Sequence, residues 1–174
     1  MIRINTRLMV ATVAVLGIQA AHAASSIIVP MYLVSADGQG QSQSQSIGSV
    51  KLETSACGVL ITPNLHDLPP GIHGFHVHET PSCAEKGMAA GAHFDPEHTN
   101  EHNGPYEHKS HLGDLPVLVV DQAGKATLPT LAPRFTLADF KDHALMIHAG
   151  GDNYSNNPKL GGGGDRIACG VIAK

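Results

Sequence analysis

The chain of 174 residues is long enough for one domain with a sizeable core, and it carries 11 Lys plus Arg against 15 Asp plus Glu, a formal charge of −4. This acidic balance argues against a nucleic-acid binder, which needs a basic surface. Tryptophan is absent and aromatic residues make up only 4% of the chain, so the core must be built mainly from Val, Ile, Leu and Ala.

The first residues have the composition of a removable leader. Two arginines begin it, residues 8–20 are apolar, and Ala21-His22-Ala23 is a small-x-small cleavage site. We therefore predict a secretory signal peptide over 1–23 and a single mature domain over 24–174. No cysteine follows the apolar segment directly, and no later stretch approaches the roughly 18 apolar residues of a membrane span, so export without a membrane anchor is expected. Losing the two arginines would leave nine basic and fifteen acidic residues, a formal charge of −6.

The start of the mature domain is typical of antiparallel β structure. Residues 27–35, 47–54 and 57–62 are apolar or β-branched runs that end at turn signals, and 47–54 alternates as a half-buried strand does. The Gln-Ser tract within 38–46 has nothing to bury and is predicted to be a hairpin tip without chemistry.

A turn over 67–71 leads into a strand that carries two histidines two residues apart, His76 and His78. Such positions project from the same face of an extended strand, so two imidazoles stand side by side. His73 has the opposite parity and is predicted to point the other way. A lone strand histidine binds metal in roughly one case in ten or fewer, but twelve histidines in this chain shift that balance.

The stretch from 79 to 115 shows neither strand nor helix periodicity, and a structureless loop of that length needs something to tie it down. It supplies further metal-binding side chains, namely His93, His98, His102, His108, His111, Asp95 and Asp114. Imidazoles with a carboxylate suit a structural zinc, whereas imidazoles alone, open to solvent, suit a redox copper. Two metal sites are therefore expected. Composition leaves open which histidines serve them, because His98 and His108 are as available as His102 and His111.

The rest of the chain completes the strand count. Further strands are predicted over 115–120, 125–131, 144–148 and 167–172, the first two as partners across a turn at 121–124. Thr136 is predicted to cap one helical turn over 136–142. His148 closes its strand and can deliver another imidazole from across the fold. About eight short strands with almost no helix predict an all-β fold, an antiparallel sandwich or barrel with two long functional loops.

Three cysteines, Cys57, Cys83 and Cys169, allow three pairings with one thiol left over, and export makes a disulfide expected. Closing the separation of 86 residues between Cys83 and Cys169 would stabilise the fold by about 4 to 5 kcal/mol in the chain-entropy model. Cys57 begins an apolar strand, so the simplest interpretation makes it the leftover thiol, a small buried side chain.

Six segments resemble the copper/zinc superoxide dismutases in their bacterial periplasmic form. They are GFHVHE (74–79), GAHFDP (91–96), HNGP (102–105), HLGDL (111–115), HAGGDNY (148–154) and GGGGDRIACGVI (161–172). They follow the family order over nearly the whole mature chain, which makes the resemblance specific. It implies an eight-stranded antiparallel Greek-key barrel, in agreement with the strand count.

The resemblance implies one copper and one zinc ion per subunit. Copper would be held by His76, His78, His93 and His148, and zinc by His93, His102, His111 and Asp114. His93 would then be a bridging imidazolate, and Asp152 would accept hydrogen bonds from one histidine of each set. Arg166 would stand beside the copper opening, and Cys83 and Cys169 would form the disulfide.

The activity implied is that of an antioxidant oxidoreductase. It converts two superoxide anions and two protons to dioxygen and hydrogen peroxide by alternate reduction and reoxidation of copper, with His93 delivering a proton to the departing peroxide and zinc remaining structural. A protein of charge −6 needs a local positive field for this anion, and Lys86 and Lys159 are hypothesised to widen the field around Arg166. Asp165 stands where the family often has a small neutral residue, and its charge would weaken that field.

Three rival functions are disfavoured. A secreted metal carrier on the same barrel would be expected to have lost a ligand or Arg166, and all are present. A zinc hydrolase would need an open zinc position, which four protein ligands do not leave. A purely structural β-domain does not need six ligand-bearing motifs. We expect a periplasmic enzyme with a small-molecule substrate and neither a nucleic-acid nor a membrane partner, and the strands favour neither a monomer nor a homodimer.

Overall fold

The computed structural model describes residues 26–34 and 45–174, so the predicted signal peptide over 1–23 and most of the Gln-Ser tract lie outside the described residues. The strands of the described part are β1 Ser26–Leu33, β2 Ser46–Ser55, β3 Gly58–Leu65, β4 Gly71–His73, β5 Phe75–His78, β6 Leu118–Val120, β7 Thr130–Ala132, β8 His143–His148 and β9 Arg166–Ile172. Short 3-10 helices cover Met88–Ala90, Ala138–Phe140 and Lys159–Gly162. Within these residues, no helix has the length and apolar character needed to cross a membrane.

The strands form one curled antiparallel structure. Seven of them pair in the order β5-β8-β9-β1-β2-β3-β7, and β4 pairs with β6 in a separate two-stranded sheet. Because β4 and β5 are two parts of one run interrupted only at Gly74, the chain itself joins the two sheets, and the run counts as one of eight strands. Partners far apart in sequence, such as β3 with β7, give the Greek-key order. The predicted all-β, eight-stranded Greek-key barrel is confirmed.

The core is aliphatic, as the composition predicts, but its pattern in β2 departs from strict alternation. Ile47, Val50 and Leu52 are all fully buried. The pairing of β1 with β2 is irregular beside Gly48, which adopts φ 109° and approaches β3 so closely that a Cβ would lie 2.1 Å from Asn64 O. This irregularity shifts the strand parity, so that Ile47 turns inward with Val50.

The predicted pairing of the strands at 115–120 and 125–131 is wrong. β6 pairs with β4, with Val119 opposite Ile72, and β7 starts later than predicted and pairs with β3. The turn between them does form, since Asp121 N donates to Lys125 O. The local turn signal is therefore correct, but each strand pairs with a different edge of the barrel because an open edge would leave backbone groups unpaired.

The predicted helical turn over 136–142 is present as the 3-10 helix Ala138–Phe140, but Thr136 does not cap it. Instead, the Asp139 carboxylate reaches back and accepts hydrogen bonds from Thr136 N and Thr136 Oγ1, both at 2.7 Å. The side-chain contact therefore runs in the opposite direction to the one predicted.

The cysteines divide into one pair and one free thiol. Cys83 and Cys169 form a disulfide, with 5.8 Å between their Cα atoms, which ties the loop after β5 to β9. Cys57 is free, as expected, but the prediction that it is buried is wrong: its side chain is exposed. The strand starts one residue later, at Gly58, so Cys57 belongs to the tight turn between β2 and β3.

Candidate metal centre

Two adjacent strands of the sheet present three of the predicted histidines. β5 is buried along its whole length, with Phe75 and Val77 in the core and His76 and His78 on the opposite face. β8 pairs with β5 and ends at His148, whose backbone N–H donates to Gly74 O at 2.9 Å. Strand pairing therefore places the three imidazoles together.

The loop after β5 adds a fourth imidazole. His93 forms an isolated β-bridge with His78, and its ring stacks on that of His76 with 3.9 Å between centroids. Ligand atoms from four buried residues, His76, His78, His93 and His148, lie within 4.8 Å of one another. We call this group the imidazole cluster.

Three rings of the imidazole cluster each have one nitrogen with a partner and one without. His76 Nε2 lies 2.7 Å from Asp152 Oδ2, His78 Nδ1 lies 3.0 Å from Gly91 O, and His148 Nδ1 lies 3.2 Å from Gly164 O. Since these partners only accept, the facing nitrogens carry the protons. The opposite nitrogens are buried and have no hydrogen-bond partner within the described residues. Buried lone pairs that converge in this way fit a metal that prefers imidazole, such as copper.

A second group forms around Asp114, which is almost completely buried. Its Oδ1 lies 3.0 Å from His93 Nδ1, 2.9 Å from His102 Nδ1 and 3.4 Å from His111 Nδ1. Burial pushes the pKa of Asp114 upward, but the His102, His111 and His93 rings outweigh burial and hold that pKa well below its usual range. An ionised carboxylate and three imidazole nitrogens therefore converge, which is a donor set that zinc uses in tetrahedral sites. We call this group the carboxylate cluster.

The carboxylate cluster has one ambiguous member. By mutual distance alone, His76 groups with His93, His102 and Asp114. However, His76 Nε2 already contacts Asp152, and its free Nδ1 also lies within reach of His78 and His148. His111 instead presents a buried Nδ1 without a hydrogen-bond partner toward Asp114. The chemistry of the nitrogens therefore favours His111.

Asp152 links the two clusters. Its buried carboxylate lies 2.7 Å from His76 Nε2 and 2.8 Å from His102 Nε2. Burial acts to raise the pKa of Asp152, but the contacts with His102 and His76 hold it below its usual range. Burial likewise acts to lower the pKa of His102, but contacts with Asp114 and Asp152 raise it to about 9. One carboxylate thus fixes the orientation of one ring in each cluster.

Gly161 makes room for this carboxylate. It adopts φ 68°, and a Cβ at this position would lie 2.0 Å from Asp152 Oδ1. Any other residue would collide with Asp152 as well as strain the backbone. A glycine is therefore sterically required at position 161, next to the site.

An open cavity of about 720 Å³ leads from the surface to His93 and His148. Arg166, the first residue of β9, is paired with His148 in the sheet and lines this cavity. Its guanidinium donates to Gly87 O at 2.5 Å and to Gly91 O at 2.6 Å, which holds the loop after β5 against β9. Three further charged residues share the lining: Lys86, Lys159 and Asp165.

The histidines that composition could not separate lie in different places. His102 and His111 are buried in the carboxylate cluster, whereas His98 and His108 are exposed. Asp95 does not join either cluster, because its carboxylate accepts hydrogen bonds within its own loop, from Asn100 N at 2.8 Å and from Thr99 Oγ1 at 3.1 Å.

His73 supports the site without joining it. Strand parity correctly predicts that its side chain points away from His76 and His78. The ring is buried, and both of its nitrogens face backbone carbonyls. Its Nδ1 lies 2.7 Å from His148 O, and its Nε2 lies 2.8 Å from Pro69 O. His73 therefore holds the backbone of a cluster residue, a role that its position in the sequence does not signal.

We expect the metal-free protein to lose stability as the pH falls from about 6.5 to about 4. Burial, with a smaller contribution from the nearby His93, lowers the pKa of His76 to about 3, and burial lowers that of His148 to about 4. In this window His76 and His148 bind protons in the unfolded chain but not in the folded chain. The free energy of unfolding therefore falls by up to about 1.4 kcal/mol per pH unit for each of these two groups. His102, with its raised pKa, is protonated in both states below about 6.5 and adds no slope there. Urea denaturation at pH 7, 5.5 and 4.5 measures the effect, and a pH-independent free energy of unfolding would contradict it.

The comparisons with known proteins agree on one family. The model of the copper/zinc superoxide dismutase family matches residues 46–172. A superoxide dismutase [Cu-Zn] of Legionella pneumophila is 59% identical over 127 residues, which cover 73% of this chain and 78% of that protein. Superoxide dismutase [Cu-Zn] 2 of Salmonella typhimurium is 51% identical, with 95% of this chain and 98% of that protein covered.

Solved structures give the same result. The Cu/Zn superoxide dismutase from Brucella abortus superposes with a TM-score of 0.78 at 44% identity, covering 85% of this chain and 99% of that one. The solution structure of the monomeric copper, zinc superoxide dismutase from Salmonella enterica gives a TM-score of 0.72 at 52% identity, with the same coverage.

Proposed function

This chain belongs to the copper/zinc superoxide dismutase family and converts superoxide to dioxygen and hydrogen peroxide with one copper and one zinc ion, and from that premise we propose which of its residues hold the metals. Copper is held by the imidazole cluster, His76, His78, His93 and His148. Zinc is held by the carboxylate cluster, His93, His102, His111 and Asp114. The observation that carries this assignment is the set of buried ring nitrogens without hydrogen-bond partners, all of which, among residues 26–34 and 45–174, belong to these two clusters.

Copper bound in the imidazole cluster supplies alternate one-electron oxidation and reduction of two superoxide anions. The chain contributes orientation, because Asp152, Gly91 O and Gly164 O fix which nitrogen of each ring is free. Because these partners already orient the rings, the rings do not have to reorient when the metal binds. Zinc supplies no redox chemistry and holds the loop in place.

His93 is the residue that belongs to both clusters. Its Nδ1 faces Asp114 Oδ1 at 3.0 Å, so its Nε2 is the nitrogen available to the imidazole cluster. His93 also lines the cavity through which superoxide enters. We assign to His93 the proton that the departing peroxide takes, because its ring joins the two clusters and lines the cavity; Nε2 would hold this proton when it is not a copper ligand.

Arg166 places a positive charge where the anion arrives. Its guanidinium is held by Gly87 O and Gly91 O and lines the same cavity as His93 and His148. A fixed cation beside the metal attracts and orients superoxide before electron transfer. Lys86 and Lys159 extend this field at the cavity wall, and Asp165 opposes it.

The assay that tests this function measures superoxide consumption by the disulfide-intact protein loaded with one copper and one zinc, beside a sample loaded with zinc alone. Fast consumption that requires copper supports the enzyme. A copper-loaded protein that binds the metal tightly but is no faster than buffer would make it a metal carrier instead.

We expect the apparent second-order rate constant for superoxide to fall as the ionic strength rises, because salt screens the attraction at the cavity. A unit charge roughly 10 Å from the path of the anion contributes about 0.4 kcal/mol in water, which is roughly a twofold change in rate. At low salt, Lys159→Gln should therefore lower the rate and Asp165→Asn should raise it. Lys125→Gln, which removes an exposed cation in a turn outside the cavity lining, is the matched control. A rate independent of salt in all four proteins would contradict steering.

The composition of residues 1–23, with two arginines, an apolar segment and a small-x-small site, supports a proposal about where the protein acts. We propose that residues 1–23 are a signal peptide cleaved on export, that residues 24–174 form the mature domain, and that this domain acts in the periplasm. Superoxide is its substrate, and it needs neither a nucleic-acid nor a membrane partner. It works as a monomer or a homodimer, and sedimentation of the metal-loaded protein distinguishes the two.

A further inference from the structure

Arg134 is a half-buried arginine outside both clusters that contacts the loop segment leading to His111 of the carboxylate cluster. It follows β7 after Pro133, and the next residue, Phe135, is buried in the core with its ring stacked on Phe140 at 4.2 Å. The backbone at Arg134 is therefore fixed to the barrel. Within the described part of the chain, no carboxylate forms an ion pair with its guanidinium.

The guanidinium instead donates to three backbone carbonyls of one loop. Its Nε donates to Pro105 O at 3.0 Å, one terminal nitrogen donates to Ser110 O at 3.0 Å, and the other donates to His111 O. The rigid planar fork of an arginine fixes the relative positions of the three acceptors. Residues 105 to 111 contain no strand or helix, so this contact replaces the ladder that regular structure would provide.

Two of these acceptors belong to residues at the carboxylate cluster. Ser110 Oγ donates to Asp114 Oδ2 at 2.6 Å, and His111 presents its Nδ1 to Asp114 Oδ1. Fixing the backbone of Ser110 and His111 therefore fixes one oxygen of the carboxylate and the direction of one ring. Just before this segment, Gly104 packs so closely on Tyr154 that a Cβ would lie 2.8 Å from the ring.

Nearby carboxylates, Asp114 foremost, stabilise the charge of Arg134 electrostatically, but this attraction does not favour zinc binding. A cation near a site that receives zinc opposes binding by Coulomb repulsion. What the guanidinium adds is geometry, because the ring and carboxylate would otherwise have to be ordered when the metal binds, at a cost in conformational entropy.

We propose that Arg134 is a positioning residue, a clamp that holds residues 105 to 111 in the shape that binds zinc before the metal arrives. The proposal rests on the zinc ligands assigned above. It predicts that zinc affinity depends on the fork of hydrogen bonds rather than on the positive charge.

The test compares Arg134→Lys and Arg134→Gln with the wild-type chain by zinc competition against a chelator, in copper-free, disulfide-intact protein. Both variants should bind zinc about ten- to a hundredfold more weakly, since neither side chain can donate to three separated carbonyls. Lys109→Gln is the matched control, because it removes an exposed cation of the same loop whose ammonium makes no hydrogen bond or ion pair within the described residues. Its zinc affinity should stay within twofold of wild type.

Amide hydrogen exchange in the metal-free proteins gives a second readout. The His111 amide donates to Glu101 O at 2.8 Å, and its exchange should accelerate in the Arg134 variants, while the Leu65 amide of β3, which donates to Ala126 O at 3.0 Å, keeps its protection. Loss of protection at both amides would make Arg134 a general stabiliser and overturn the proposal.

The remaining outcomes are distinct. Wild-type affinity in Arg134→Lys would show that the charge suffices, and unchanged affinity in both variants would remove the clamp; either result overturns the proposal. If the wild-type chain itself takes up no stoichiometric zinc, the assignment of the zinc ligands fails, and the clamp fails with it.

Discussion

His148→Ala is expected to lower the rate of superoxide consumption by more than about a hundredfold, because a lost ligand should cost at least as much as a lost partner of a ligand. The imidazole of His148 is almost fully buried, its Nε2 has no hydrogen-bond partner, and its Nδ1 is held by Gly164 O. Alanine removes one of the four nitrogens of the imidazole cluster, but it leaves the backbone pairing of β8 in place. The loss should therefore concern copper rather than the fold.

Stopped-flow superoxide consumption by the copper- and zinc-loaded protein measures this effect, with bound metal determined in the same sample. The Cu(II) electron paramagnetic resonance spectrum should change as well, since one nitrogen donor is lost. His108→Ala is the control, because His108 is an exposed histidine that composition alone ranks with the loop ligands His102 and His111. Activity of His148→Ala within tenfold of wild type would remove His148 from the copper site.

The residues that could be predicted individually are those whose neighbours in space follow from strand geometry. His76 and His78 share a face because strands have a period of two, and His148 joins them because it ends the adjacent strand. The same periodicity gives the all-β class. Where a bulge interrupts the period, as at Gly48, strict alternation places Ile47 on the wrong face.

The loop residues are a different case. Composition does not distinguish His102 and His111 from His98 and His108, since burial of His102 also depends on Asp152, which lies 50 residues further along the chain, and on His76 of β5. Only the resemblance to a family separates them. Strand pairing is similarly non-local: the turn after β6 is correct, yet β6 and β7 pair with β4 and β3 because the barrel must close.

Single residues that support the site are even harder to predict from the sequence than the loop ligands. Arg134 stands alone after a proline, with no periodic neighbours, and its three acceptors are backbone carbonyls that any residue could provide. The prediction that Cys57 is buried is wrong for the opposite reason. Its apolar neighbours suggest a buried strand, but a start of the strand one residue later leaves the thiol in an exposed turn.

Asp152 is the residue whose loss should affect both metals at once. Its two oxygens serve His76 Nε2 and His102 Nε2, and Tyr154 N also donates to Oδ1 at 2.8 Å. In Asp152→Ala both ring N–H groups lose their buried acceptor, and each ring is free to take the other tautomer. We expect zinc affinity to fall about ten- to a hundredfold and copper affinity to fall as well, because His76 loses the contact that keeps its Nδ1 free.

Asp152→Asn separates the two effects. An amide keeps one oxygen acceptor but turns its NH₂ group toward the second ring, where two donors then face each other. Since Asp152 Oδ1 also accepts from Tyr154 N, the oxygen should remain on the His102 side, so Asn should impair copper binding at His76 more than zinc binding at His102. Competition titrations of each metal against chelators measure both affinities. Asp142→Asn, at an exposed carboxylate whose φ of 65° asparagine tolerates, is the control. Equal affinities for both metals in wild type and both Asp152 variants would show that the clusters hold their shape without this carboxylate, and the rings would then have to be oriented by Gly91 O, Gly164 O and Asp114 alone.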